Sequence, residues 1–118
     1  MMSVVTGAMG AEQEHLWLER GRELQGLGNG ESTSIKVQCR TLSSILHECG
    51  DPQVDLVSLD VEGYELQVLK GLDLSLHHPK FILTETLITP LTVFCEYLGD
   101  KYSLVQELTP GDALFQAR

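Results

Sequence analysis

The chain has 118 residues, 42% of them hydrophobic, enough for one domain with a true core and too apolar for a disordered segment. Its formal charge of -9 and pI near 4.7 argue against a surface that tracks nucleic-acid phosphates or an anionic membrane face, because both need clustered Lys and Arg. Cys39, Cys49 and Cys95 are odd in number and far apart, which suits neither a zinc site nor a disulfide framework; each lies in an apolar pattern and reads as a small buried thiol. Met1 to Gly10 lack the basic and apolar regions of a secretory signal, and no run approaches the roughly 20 apolar residues of a membrane span. A cytoplasmic location is expected.

In chain order, Val4 and Val5 open a short apolar stretch, and Leu16 and Leu18 alternate about Trp17 as one face of a strand. Gly21 to Ser34 is loop chemistry, and Ile35, Val37 and Cys39 alternate as a half-buried strand. Thr41 predicts an N-cap, with Leu42, Ile45, Leu46 and Cys49 as the apolar stripe of a helix that Gly50 and Asp51-Pro52 stop. Val54 to Leu59 is an apolar run of strand length, of the kind that lies inside a parallel sheet. A second helix is expected from near Glu62-Gly63, with Leu66, Val68, Leu69 and Leu72 inward and Gly71 as its stop. Lys80 to Leu87 is the next strand. Thr89 as N-cap, Pro90 at the first helical position and Leu91, Phe94, Cys95 and Leu98 as the stripe predict a third helix, closed by Gly99. Tyr102 to Leu108 and Ala113 to Ala117 flank Thr109-Pro110-Gly111-Asp112, a hairpin turn. The order predicts an α/β fold with a mostly parallel sheet and a C-terminal antiparallel hairpin.

Ligands in open α/β sheets bind outside the carboxyl ends of the strands. That rule selects Asp60 and Glu62, which follow the strand ending at Leu59, and Glu85, at the end of the next. Adjacent strands bring these three carboxylates to one rim, where they can hold a hydroxyl-bearing substrate, accept a proton or bind a cation. Acidic residues before a helix also arise from capping alone, and Gly63 from close packing. Gly26, Gly28 and Gly30 are not a phosphate loop, since no helix follows them. His77-His78, beside Pro79, reads as a surface pair in a loop.

The stretch Val54-Asp55-Leu56-Val57-Ser58-Leu59-Asp60-Val61-Glu62-Gly63-Tyr64-Glu65-Leu66-Gln67-Val68-Leu69-Lys70-Gly71 resembles the signature of the FkbM methyltransferase family. That signature is an apolar strand, Asp-x-Glu-Gly, a glutamate two residues on, and Val-Leu-Lys/Arg-Gly. Gln38 to Leu42 and Pro79 to Glu85 resemble its flanking segments. The resemblance implies a partial class I methyltransferase (Rossmann-like) fold and S-adenosylmethionine as cofactor. The implied reaction is O-methylation of a small-molecule hydroxyl acceptor, a sugar or natural product. By the same analogy Asp60, Glu62 and Glu85 are catalytic, orienting the acceptor hydroxyl and taking its proton; no metal is assigned.

The family's domain opens with a strand and a Gly-rich turn for the cofactor. Val5-Thr6-Gly7-Ala8-Met9-Gly10 looks like that turn, but only about fifty residues separate it from Asp60, and two βα units of roughly thirty residues each must fit between. The expectation is therefore a single, N-terminally incomplete domain, with residues 1–34 a strand and loop segment and residues 35–118 the signature-bearing core. A non-catalytic FkbM-derived interaction module is the alternative. Loss of the first strands also predicts an exposed sheet edge and self-association through it.

Overall fold

A computed structural model describes residues 34–118. The readings that fall on Val4-Val5, the Gly7 to Gly10 turn, Leu16 to Leu18 and the glycines up to Gly30 lie outside the described residues. The described residues fall into two units, one ending at Cys39 and one running Arg40–Arg118. Of the first, residues 34–39 form no strand, and Ile35 is 85% and Val37 65% exposed. Alternation alone does not make a strand, which needs a hydrogen-bonded neighbour; among the described residues none pairs with this segment. The described helices and strands all lie in the second unit.

That unit runs α1 (Leu42–Glu48), β1 (Leu56–Leu59), α2 (Glu65–Lys70), β2 (Phe81–Glu85), α3 (Leu91–Leu98), a 3-10 turn (Gly99–Lys101), β3 (Tyr102–Thr109) and β4 (Asp112–Ala117). The strands form one sheet in the order β1-β2-β4-β3. β1 and β2 are parallel neighbours, as the βαβ pattern predicts. The β2–β4 and β3–β4 pairs are antiparallel, so the described sheet is mixed rather than mostly parallel. The reason is the hairpin: its tight turn sends β4 back between β2 and β3, and only one βαβ crossover lies among the described residues. β1, expected to be central, is an edge strand of that sheet.

One face of the sheet carries the core. Along β2, Ile82 and Thr84 are buried while Phe81, Leu83 and Glu85 are half-buried, the period of two that a pleated strand imposes. Ile82 stands opposite Phe115 and Thr84 opposite Ala113, so the buried residues of both strands share that face. Leu59, Leu69, Leu72, Leu74, Phe94, Leu98 and Tyr102 complete the cluster. Tyr102 donates its hydroxyl to Pro79 O at 2.7 Å, and burial pushes its pKa up to about 12.

Thr41 caps α1 as its sequence predicts, its Oγ1 accepting from Ser44 N at 3.1 Å. The C-terminal end closes with Gly50 N on His47 O and Asp51 N on Leu46 O, with Gly50 at φ 85°, the left-handed stop that glycine adopts freely. Leu42 and Leu46 pack on the core, but Ile45 and Cys49 face solvent. Cys39 and Cys95 are exposed too, which corrects the reading of all three as buried thiols. In α3 the inward residues are Leu91, Phe94 and Leu98; Cys95, one position past Phe94, rotates outward. Thr89 is not the cap of α3; Pro90 occupies that position, with φ -60° and ψ 146°. Gly71 ends α2 at an ordinary φ of -82°, not a left-handed one.

His77 overturns the reading of a surface pair: it is 3% exposed. Its Nε2 lies 2.7 Å from Asp51 Oδ1 and its Nδ1 3.0 Å from Ser43 Oγ, which also accepts from Asp73 N at 2.7 Å. The chain of bonds ties both ends of α1 to the α2–β2 connection. The hydrogen bond from His77 holds the Asp51 carboxyl below its usual value of 3.8 against partial desolvation, with His47 adding to the effect.

Candidate active site

The register of the parallel pair builds the site. Leu59 stands opposite Thr84, so the next residues, Asp60 and Glu85, emerge side by side where the two strands end. β4 approaches from the other side and sets Asp112 opposite Glu85. Asp112 is held by the hairpin turn, its Oδ2 accepting from Thr109 Oγ1 at 2.6 Å.

Between β1 and α2 the chain makes a sharp bend. Glu62 has φ 54° and Gly63 φ 97°. Neither conformation continues a helix, so α2 starts at Glu65 rather than at Glu62-Gly63. Gly63 is required twice over: its φ strains any L side chain, and a Cβ there would stand 2.9 Å from Ile88 Cδ1. Glu62, a non-glycine residue in the left-handed region, is a local strain of the kind that clusters at functional sites.

Glu65 is the residue that the strand-end rule misses. It is 1% exposed, and its Oε1 accepts from Val61 N at 2.9 Å and from Gly63 N at 3.2 Å. Oxygens of Asp60, Glu65 and Glu85 lie within 4.8 Å of one another. Of the three residues selected from the sequence, Asp60 and Glu85 therefore meet, and Glu65 joins them. Glu62 is not part of that close set, although its charge acts on Glu85. The signal for Glu65 lay in the signature, where a third carboxylate follows Asp-x-Glu-Gly, but nothing in hydropathy marks a glutamate for burial.

Glu85 carries the electrostatic consequence. Desolvation, then the charges of Asp60, Glu65, Glu62 and Asp112, push its pKa up from 4.5 to about 7. A carboxyl that exchanges its proton near neutrality is suited to acid–base work, whereas an ordinary one is a weak base there. Three oxygens at this spacing can surround a divalent cation. Such spacing is also common among acidic side chains that hold no ion, and the described residues add no further sign of one.

Against known proteins, a family model, the methyltransferase FkbM domain, matches residues 6–109. The methyltransferase sdnD of Sordaria araneosa is 38% identical over 63 residues, a match covering 47% of this chain and 24% of that protein. The chain therefore spans only about a quarter of the length of this curated relative. No solved structure matches the chain. With the signature running from β1 into α2, its flanking segment forming the parallel neighbour β2, and the family model covering most of its length, the chain belongs to the FkbM methyltransferase domain family.

Proposed function

We propose that this domain supplies the acceptor side of an S-adenosylmethionine-dependent O-methyltransferase acting on a hydroxyl of a sugar or natural product. The observation that carries the reading is the meeting of Asp60 and Glu85 at one rim, with Glu85 held near neutrality by burial and by its acidic neighbours. A hydroxyl is a poor nucleophile until its proton begins to leave, and Glu85 is the group at this rim matched to receive it at pH 7. Asp60 and Glu62 accept hydrogen bonds from the acceptor and fix which hydroxyl faces the base. S-adenosylmethionine, when bound, supplies an electrophilic methyl group.

The rim offers that cofactor no cradle of backbone amides, which a Gly-rich turn before a helix would provide. By its distance to Asp60 we do not read Val5 to Gly10 as that turn, and we take the cofactor's main contacts to lie outside the described residues. The test is release of S-adenosylhomocysteine by a cofactor-binding form of the protein over a panel of polyhydroxylated acceptors, with products identified by mass. A methyl ether is expected. Methylation only at nitrogen or carbon would overturn the O-methyl reading, and no turnover with any acceptor would favour a non-catalytic interaction module.

A further inference from the structure

We infer that Glu65 is a positioning residue of this rim: its buried carboxylate clamps the bend that aims Asp60 and Glu62, and its negative charge bears on Glu85. The inference rests on the methyl-transfer reading for its purpose, but its physical content stands on this chain alone.

The bend poses a specific problem. Residues 61–63 leave β1 and turn through two consecutive positive φ values, so their amides cannot join a strand ladder or the first turn of α2. Both amides are partly withdrawn from water, and such groups are costly to leave without partners. Glu65 meets both needs with one atom, Oε1 taking Val61 N and Gly63 N together. The two amides flank Glu62 in sequence, and Val61 directly follows Asp60. Holding them therefore fixes the backbone from which both proposed acceptor-binding carboxylates project. A purely structural cap needs only an acceptor, and a neutral amide oxygen provides one. The carboxylate brings a charge as well, next to Asp60 and Glu85. Among the described residues, the charged groups that act on Glu85, namely Asp60, Glu62, Glu65 and Asp112, are all acidic.

Glu65→Gln and Glu65→Ala separate the clamp from the charge. Both are made in the 118-residue chain and followed by NMR, so no cofactor or acceptor is needed. Glu65→Gln keeps a side-chain oxygen acceptor. It is expected to preserve hydrogen-exchange protection at Val61 and Gly63 to within about threefold, and to lower the pH at which the Glu85 carboxyl titrates. Glu65→Ala is expected to lose protection at both amides by about tenfold, the scale of one or two hydrogen bonds. A cap without an electrostatic role would leave the Glu85 titration of the Gln variant where it is in the parent, and that result overturns the inference. Unchanged protection at Val61 and Gly63 in Glu65→Ala overturns it as well. If Glu65→Ala does not fold, Glu65→Gln still decides through Glu85. Absence of methyl transfer would sink the functional reading and leave these NMR outcomes untouched.

Discussion

Glu85→Gln is expected to make the protein more stable at pH 8 while disabling the proposed chemistry. The folded-state pKa of Glu85 lies above its unfolded value, about 7 against 4.5. The stability linked to its proton is therefore fully present below about pH 4.5 and is lost as pH rises through about 7. At about 1.4 kcal/mol for each tenfold change in proton affinity, that difference corresponds to roughly 3 kcal/mol for a fully shielded group. Glu85 is only half-buried, and solvent screening reduces the effect to about 1 kcal/mol. Glutamine has nearly the same shape and no proton to lose, so the variant avoids the loss. Thermal unfolding of parent and variant at intervals from pH 4.5 to 8 reads the difference directly. The two midpoints should be close at the acid end and diverge through neutrality, the variant gaining about 4 °C, the scale for 1 kcal/mol in a domain of this size. Parallel curves across that range, or a variant less stable at pH 8, would refute the claim that acidic crowding and desolvation act on Glu85. The result bears on function because a site that costs stability to maintain is what a tuned base requires.

Gly63→Ala combines a left-handed φ with a Cβ 2.9 Å from Ile88, and a loss of about 1–3 kcal/mol is expected by denaturant titration. His77→Ala removes the buried link between Asp51 and Ser43, with an expected loss of about 1–3 kcal/mol at pH 7. The His77 bond holds the pKa of Asp51 down, so whatever stability the ionised Asp51 adds should fade in the parent as pH falls below 3.8, and the gap between parent and variant should narrow there. Calorimetric titration of the 118-residue chain with S-adenosylmethionine is expected to show no saturable binding. Micromolar binding would mean that Gly7 to Gly10 holds the cofactor after all.

The punctuation of this chain was legible because each signal is local. Thr41, Gly50 and the Thr109 to Asp112 turn act where they stand, and the apolar runs at Val54 and Lys80 become neighbours through one right-handed crossover. The meeting of Asp60 and Glu85 followed from that adjacency and a strand-end rule. What the sequence concealed depends on rotation and partners. Cys49 and Cys95 fit an apolar spacing but fall at the margins of their stripes, where a one-residue turn faces them to solvent. Ile35 and Val37 alternate like a strand, yet alternation does not provide a neighbour. His77 and Glu65 are the hardest cases, since both are polar side chains whose burial is tolerated only because specific distant or bent backbone groups satisfy them.

Turnover by Asp60→Asn in a cofactor-binding form of the protein tests the central claim most directly, with S-adenosylhomocysteine release as the assay and thermal unfolding measured in parallel. Asn keeps the size of the side chain and one oxygen acceptor but removes the charge beside Glu85. Loss of acceptor orientation and a weakened base should together lower kcat by about a hundredfold, the scale of a positioned acid–base group. The melting midpoint should hold or rise, because a repulsive neighbour of Glu85 has gone. Turnover within threefold of the parent, in a variant equally well folded, would contradict the assignment of this rim to methyl transfer.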